Sequence, residues 1–220
     1  MIINLNKNHL ENLLKDYNKN LQEYFDKIND KETYYDFGKE HYRLFAGISC
    51  QLDDKKILEL GTHNGKSAIA LSYGKIIEKN IIINTFDIIN LLTNKGKLFF
   101  KNYSVNYELK NLLDNDTREK NKDFILSHDI IFIDIDPHNG ILEYEMYIWL
   151  KNNSYQGIII YDDIKLGLNH SANGYQKTTN KMSDFWDKLD INEKIDITHL
   201  GHWSGTGIVV FNKEKNKFIF

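Results

Sequence analysis

Short apolar runs along the chain end in or just after acidic residues, and stretches with helical spacing separate them. The clearest runs cover residues 56–60, 81–87, 128–136 and 157–163. A weaker strand pattern covers residues 104–107, and a final pair of strands is predicted over residues 194–200 and 206–211. Apolar residues between the runs recur three or four positions apart, which is typical of amphipathic helices. This alternation predicts an α/β fold: a Rossmann-like, doubly wound, mostly parallel seven-stranded sheet with an antiparallel C-terminal strand.

Two helical patterns precede the first strand. One apolar face extends from about Leu10 to Ile28, and a second from about Phe37 to Gln51. We therefore predict an N-terminal helical extension over residues 1–52 and a single α/β domain over residues 53–220. The first helix could pack on that domain, cover a substrate site or contact a partner chain. A homo-oligomer is one arrangement that such a helix would allow.

Composition narrows the classes of partner. The 220 residues are 41% hydrophobic, which is enough for one buried core, and the net charge of −3 comes without a basic cluster, so no nucleic-acid partner is expected. No apolar run approaches the ~20 residues that span a bilayer, so no membrane partner is expected. Cys50 is the only cysteine, which rules out a disulfide framework. The start of the sequence does not resemble a signal peptide, and a cytoplasmic protein is expected.

The run at residues 56–60 leads into a turn with two glycines, Gly61 and Gly65, and then into a helical pattern. Gly61 permits a sharp turn, and Gly65 would let the start of the helix approach a ligand closely. Glu59 ends the strand, and its charge would repel a pyrophosphate. It suits a ligand with hydroxyls or a cationic group better than a dinucleotide.

Acidic residues follow every strong strand. In a parallel sheet these strand ends share one edge, which brings the acids of four strands together. Their mutual repulsion requires a positive partner, such as a sulfonium, an ammonium or a divalent metal ion. The sequence therefore predicts a ligand site at this edge, lined by Glu59, Asp87, Asp134, Asp136, Asp162 and Asp163.

The order of these motifs resembles that of class I S-adenosylmethionine (SAM)-dependent methyltransferases, over about residues 56–211. The motifs are Glu59–Gly65, Phe86-Asp87, Phe132–His138 and Tyr161–Ile164. They are most similar to small metal-dependent O-methyltransferases, including enzymes that act on macrolide sugars, and more distantly to catechol O-methyltransferases. The resemblance implies that residues 53–220 form a SAM-dependent methyltransferase domain. It implies methyl transfer to an oxygen of a small acceptor, most readily a sugar, a nucleotide sugar or another polyhydroxylated compound.

The resemblance also assigns roles to residues. The residues expected to bind the cofactor are Glu59, Gly61, Thr62, His63, Asn64, Gly65, Ser67, Asp87 and Asp134. Asp134, Asp162 and Asp163 match the positions that bind Mg²⁺ in metal-dependent relatives, so Mg²⁺ or Mn²⁺ is a possible second cofactor. The predicted catalytic residues are His138, Asp134 and His202. Pro137 stands where several relatives carry the histidine base, which moves His138 one position along the chain and leaves His202 as a second candidate.

Two other functions remain open at this point. A Rossmann-type NAD(P)-dependent oxidoreductase would also use a glycine turn, although Glu59 and the final strand pair argue against it. A non-catalytic SAM-fold binding module could use its N-terminal helix as an interface. Binding of SAM would separate the methyltransferase from the oxidoreductase, and turnover would separate it from the binding module.

Overall fold

A computed structural model of the chain describes residues 1–26, 29–167 and 181–220. Within these residues it contains the strands β1 (Ile2–Asn4), β2 (Lys55–Leu60), β3 (Ile81–Asp87), β4 (Asn106–Leu109), β5 (Ile130–Ile133), β6 (Ile158–Tyr161), β7 (Lys194–Asp196), β8 (Gly207–Val210) and β9 (Lys217–Ile219). The helices are α1 (Lys7–Leu13), α2 (Tyr17–Leu21), α3 (Tyr42–Ser49), α4 (Lys66–Leu71), α5 (Tyr73–Ile76), α6 (Asn94–Asn102), α7 (Asn115–Lys120), α8 (Lys122–Leu126), α9 (Ile141–Asn152) and α10 (Met182–Lys188). A 3₁₀ helix covers Lys31–Tyr34.

The main sheet has seven strands in the order β4-β3-β2-β5-β6-β8-β7. Strands β2 to β6 are parallel to one another, and β8 pairs antiparallel with both β6 and β7. The predicted fold is therefore confirmed, including the antiparallel strand near the end of the chain. The chain leaves β2 toward one side of the sheet and later returns to β5 on the other side. Ligands of doubly wound sheets bind at the carboxyl ends of strands flanking such a reversal.

Three neighbouring strands of the main sheet are buried along their whole length because the sheet is covered on both faces. All residues of β5, β6 and β8 are buried. Two hydrophobic clusters flank the sheet, and the larger one contains Leu10 and Leu44 from the N-terminal helices together with Ile57 and Ile83 from β2 and β3. The N-terminal helices thus share a core with the sheet. The division of the chain at residue 52 stays a prediction.

The N-terminal region differs from the expected long helix. The chain forms two short helices, α1 and α2, separated by a turn, and Ile28 lies outside the described residues. Leu10, Tyr17 and Leu21 are nevertheless buried, because the turn keeps the apolar side of both helices against the core. The spacing therefore predicted which residues are buried, but it did not predict the interruption.

A second small sheet was not predicted. Strands β1 and β9 pair in parallel, with Ile2 opposite Lys217 and Asn4 opposite Ile219. Each strand has only three residues, too few to produce a recognisable alternation in sequence. Among residues 1–26, 29–167 and 181–220, every helix is too short or too polar to cross a membrane.

Candidate functional site

A cavity of about 450 Å³ opens at the carboxyl ends of β2, β3, β5 and β6. It lies at the reversal in the strand order, where the sequence predicts the ligand site. Predicted site residues that line it are Gly61, His63, Asp87, Asp134, Asp136, His138, Asp162, Asp163 and His202. The remaining wall includes apolar side chains after β3 and β4 and three residues of the N-terminal region, Glu40, His41 and Tyr42.

The turn after β2 is shaped by Gly61. Its φ is +103°, and a Cβ atom at this position would lie 1.7 Å from the carbonyl oxygen of Asp134. No side chain fits there, so the turn can lie directly against the end of β5 only with glycine at this position. This close approach brings the cofactor turn and the acidic end of β5 to one side of the cavity.

Asp87, at the end of β3, is held in place by backbone N–H groups. Its Oδ2 atom accepts from the N–H of His63 at 2.7 Å, and its Oδ1 atom accepts from the N–H of Ile89 at 3.0 Å. Each carboxylate oxygen can accept more than one hydrogen bond. The carboxylate therefore has a fixed orientation at the cavity wall and retains capacity for hydroxyl donors of a ligand.

Glu59 lies inside the protein and does not line the cavity. The hydroxyl of Thr85 donates to Glu59 Oε2, and Thr62 Oγ1 lies 2.5 Å from Thr85 Oγ1. Glu59 Oε1 is buried and has no hydrogen-bond partner among the described residues. Burial raises the pKa of Glu59 to about 7, against hydrogen bonds that lower it. This carboxyl shapes the interior of the turn, whereas the sequence assigned it to the ligand.

Four other predicted cofactor residues do not line the cavity: Thr62, Asn64 and Gly65 belong to the turn, and Ser67 lies in the first turn of α4. Asn64 Oδ1 accepts from the N–H of Lys66 at 3.2 Å, close to the start of α4. Gly65 has a φ of +91°, and a Cβ there would lie 2.5 Å from Leu92 Cδ1. Leu92 thus occupies the space that a side chain at position 65 would need, and the approach of a ligand to Gly65 stays a prediction.

A cluster of carboxylates and imidazoles forms the other end of the cavity. Asp162 Oδ2 lies 3.3 Å from His41 Nδ1 and 3.2 Å from His202 Nδ1. His202 Nε2 in turn lies 3.5 Å from Glu40 Oε2. The sequence predicted Asp162 and His202 as site residues and did not predict Glu40 or His41.

His138 joins this cluster through Asp163. Its Nδ1 atom lies 3.1 Å from Asp163 Oδ2, and its Nε2 atom lies 3.2 Å from Asp136 Oδ1. The hydroxyl of Ser204 donates to Asp163 Oδ1. The Asp136 side chain is 76% exposed, so the cluster reaches the protein surface on this side. The two histidines named in the sequence therefore both approach Asp163, His138 at Oδ2 and His202 at Oδ1.

The charged groups in the cluster shift one another's pKa values. Burial and the neighbouring Asp162 and Asp163 carboxylates raise the pKa of Asp134 well above its usual value. Burial also acts to raise the pKa of Asp162, but His41 and His202 outweigh it and hold that pKa well below its usual range. Burial would lower the pKa of His202, yet the surrounding carboxylates raise it strongly. His202 therefore retains its proton at neutral pH and is poorly suited to act as a base.

Comparison with known proteins identifies the fold. No protein-family model matches the sequence, and no curated protein matches it. PaMTH1, a methyltransferase from Podospora anserina crystallised with S-adenosylhomocysteine (SAH), is 17% identical over 77% of this chain and 76% of its own, with a TM-score of 0.54. A candidate caffeoyl-CoA O-methyltransferase from Staphylococcus aureus is 20% identical over 94% and 99%, with a TM-score of 0.57. Cofactor-bound Rv0187 from MTB is 15% identical over 78% and 80%, with a TM-score of 0.53.

The chain has the Rossmann-like methyltransferase fold. In this methyltransferase fold the turn after β2 and the ends of β3, β5 and β6 surround one cavity, as the sequence predicts. The roles of individual residues remain predictions, because likeness at this level of identity extends to the fold alone.

The donor atoms at the acidic end do not fit the predicted oxygen-only site for Mg²⁺ or Mn²⁺. Each set of three candidate donors within 4.8 Å of one another, among the described residues, includes an imidazole. The carboxylates of Asp134, Asp162 and Asp163 do not form such a set by themselves. Mg²⁺ prefers oxygen ligands in near-ideal octahedral geometry.

His41 could not have been found from the sequence. It lies directly before α3 in a segment whose visible signal is apolar helical spacing. Its ring stacks on Phe45 at 4.5 Å between centroids and meets the edge of Phe132 at 5.6 Å. The strand end it approaches, at Asp162, is distant in sequence, and no local pattern connects the two positions.

Proposed function

We propose that the chain is a SAM-dependent methyltransferase that acts on an oxygen of a small molecule. The observation that carries this proposal is the arrangement of Asp87 and the acid–imidazole cluster at opposite ends of one cavity. Asp87 would accept from the ribose hydroxyls of SAM, as a fixed carboxylate after the second parallel strand does in nucleotide-binding sheets. The sulfonium would then lie toward the carboxylates, where its positive charge is favourable.

The fold supports this assignment. PaMTH1 binds SAH and Rv0187 binds a cofactor, and both share the sheet of this chain. The buried Glu59 and the antiparallel β8 are unlike the pyrophosphate-binding turn and continued parallel units expected of an NAD(P)-dependent oxidoreductase. A methyl-transfer site is therefore the function that best fits the cavity.

His138 is the residue we assign as proton acceptor. Its ring lies between Asp163 and the exposed Asp136, so an acceptor hydroxyl could take the place of the outer carboxylate at Nε2. SAM would supply the methyl group to the acceptor oxygen, with its sulfur as the leaving group, and His138 would take the proton of the acceptor hydroxyl. Asp134, whose pKa burial and the neighbouring carboxylates raise well above its usual value, lies at the same end and would form a hydrogen bond with the acceptor.

A sugar or other polyhydroxylated compound is the acceptor we propose. Carboxylates and imidazoles bind neighbouring hydroxyls well, because each can accept or donate several hydrogen bonds. Glu40, Asp136 and Asp163 give this end of the cavity a negative character, and Lys110 is the one lysine or arginine among the described lining residues. A nucleotide sugar would bring its phosphates close to these carboxylates, so an uncharged or cationic sugar is favoured over it.

Calorimetry with SAM, SAH and NAD tests the cofactor. SAM and SAH should bind and NAD should not. Asp87→Asn should weaken SAM binding by about 10- to 100-fold, since a hydrogen bond to a charged group contributes about 1.5–3 kcal/mol. Asp116→Asn serves as the matched control, because Asp116 is exposed and outside the cavity.

Two outcomes would reject the proposal. Binding of NAD without SAM would indicate an oxidoreductase. Binding of SAM without methyl transfer to any member of a sugar and polyol library, followed with a labelled methyl group, would indicate a binding module.

A further inference from the structure

We infer that the imidazoles of His41 and His202 occupy the place of a divalent cation beside Asp162, and that this site works without a bound metal. The inference rests on the proposed function. Both Nδ1 atoms approach the same oxygen, Asp162 Oδ2, at 3.3 and 3.2 Å. One imidazole comes from the segment before α3 and the other from the connection between β7 and β8, so they approach that oxygen from two separate parts of the fold.

The remaining oxygens of the acidic pair are also engaged by the protein. Thr206 Oγ1 lies 3.5 Å from Asp162 Oδ1, the hydroxyl of Ser204 donates to Asp163 Oδ1, and His138 Nδ1 lies 3.1 Å from Asp163 Oδ2. A metal ion between the two carboxylates would have to displace several of these donors. The acidic pair is thus already surrounded by imidazoles and hydroxyls of the protein.

His41 is rigidly held, as a permanent partner of Asp162 must be. Its side chain is 5% exposed and stacks on Phe45, which belongs to α3. The segment before it is anchored to α4 by Lys66, whose Nζ atom lies 3.0 Å from Asp30 Oδ1 and also contacts Glu32. Rearranging His41 to admit a metal would disturb this packing.

The free energy of burying Asp162 favours imidazole partners over a bound metal ion. A buried carboxylate without a partner costs several kcal/mol, and Asp162 is 4% exposed. The two imidazoles beside Asp162 offset this cost without the dehydration that Mg²⁺ resists. The N-terminal region thereby contributes a positioning residue that fixes Asp162 in the cavity wall.

Uptake of Mn²⁺ by the full chain, measured by the loss of the free-ion electron paramagnetic resonance signal, tests this inference. We expect the parent protein, with SAH present, to take up no Mn²⁺ in the millimolar range. His41→Asn and the double variant His41→Asn/His202→Asn should take up Mn²⁺ at least tenfold more tightly than the parent. His9→Asn, which lies on α1 outside the cavity, is the matched control and should behave like the parent.

Two results would overturn the inference. One is stoichiometric Mn²⁺ binding by the parent that Asp162→Asn abolishes. The other is failure of both folded imidazole variants to gain Mn²⁺ binding. If the variants do not fold, the parent measurement decides alone. SAH calorimetry in the same samples tests the proposed function separately, because cofactor binding at Asp87 and metal uptake at Asp162 are independent readouts.

Discussion

Replacing Glu59 with glutamine should remove a large pH-dependent contribution to stability. Glu59 is completely buried, and burial raises its pKa from an ordinary 4.5 to about 7. The folded chain therefore binds this proton more tightly than the unfolded chain. The stability gained from this tighter proton binding is fully present below pH 4.5, decreases between pH 4.5 and 7, and is lost above pH 7.

The difference between the two pKa values corresponds to about 3 kcal/mol of unfolding free energy. At pH 4.5 and below, the neutral carboxyl of Glu59 and the amide of glutamine are nearly isosteric, and both can accept from Thr85. Stability of the parent and of Glu59→Gln should therefore be similar at low pH. Near pH 8 the variant should be more stable than the parent by about 3 kcal/mol.

Urea unfolding of both proteins at several values between pH 4.5 and 8 measures this difference. Subtracting one curve from the other removes contributions that the two proteins share, including those of Asp134 and Asp162. Glu23→Gln is the control, since Glu23 is exposed, and its curve should follow that of the parent. Parallel curves for the parent and Glu59→Gln would refute the reasoning.

Two further substitutions test how the site is assembled. Gly61→Ala should prevent stable folding, because its Cβ would lie 1.7 Å from the carbonyl oxygen of Asp134; a soluble variant with the parent's melting temperature would contradict this. Lys66→Met should lower the unfolding free energy by about 2 kcal/mol, since it leaves two partly buried carboxylates without their partner. Lys55→Met, which breaks a more exposed pair with Asp129, should cost less than about 1 kcal/mol in the same denaturation assay, and an equal loss would show that burial is not decisive.

Most of the sheet could be predicted because its strands are apolar on both faces. Strands β5 and β6 contain only apolar residues or tyrosine, and the acids that follow them lie at the cavity, as expected for parallel strands. Helix interruptions were not predictable, because Leu10 and Tyr17 keep helical spacing across the turn that separates α1 from α2. Periodicity reports which side is buried and is insensitive to a short break in the helix.

The site was less predictable than the fold. Asp87 and His138 line the cavity because Asp87 ends β3 and His138 follows β5, and the sheet fixes both strand ends; their roles stay predictions. Glu59 also lies near a strand end in the sequence, but its side chain points into the core. This orientation depends on how the side chain packs around Thr85. His41 was missed because its role depends on where α3 packs, which no local spacing encodes.

The position of β8 between β6 and β7 affects how the main sheet can form while the chain is being synthesised. β8 follows both neighbours in sequence, so neither can complete its pairing until residues 207–210 have left the ribosome. Until then β6 has one edge without a partner, and that edge carries Ile158, Ile159 and Ile160, all buried in the finished protein. An open apolar edge can pair with another nascent chain. Pairing with β8 therefore protects the open edge of β6, the strand that leads to Asp162 and Asp163. If translation stops before β8, this edge stays open beside the acidic site and can promote aggregation.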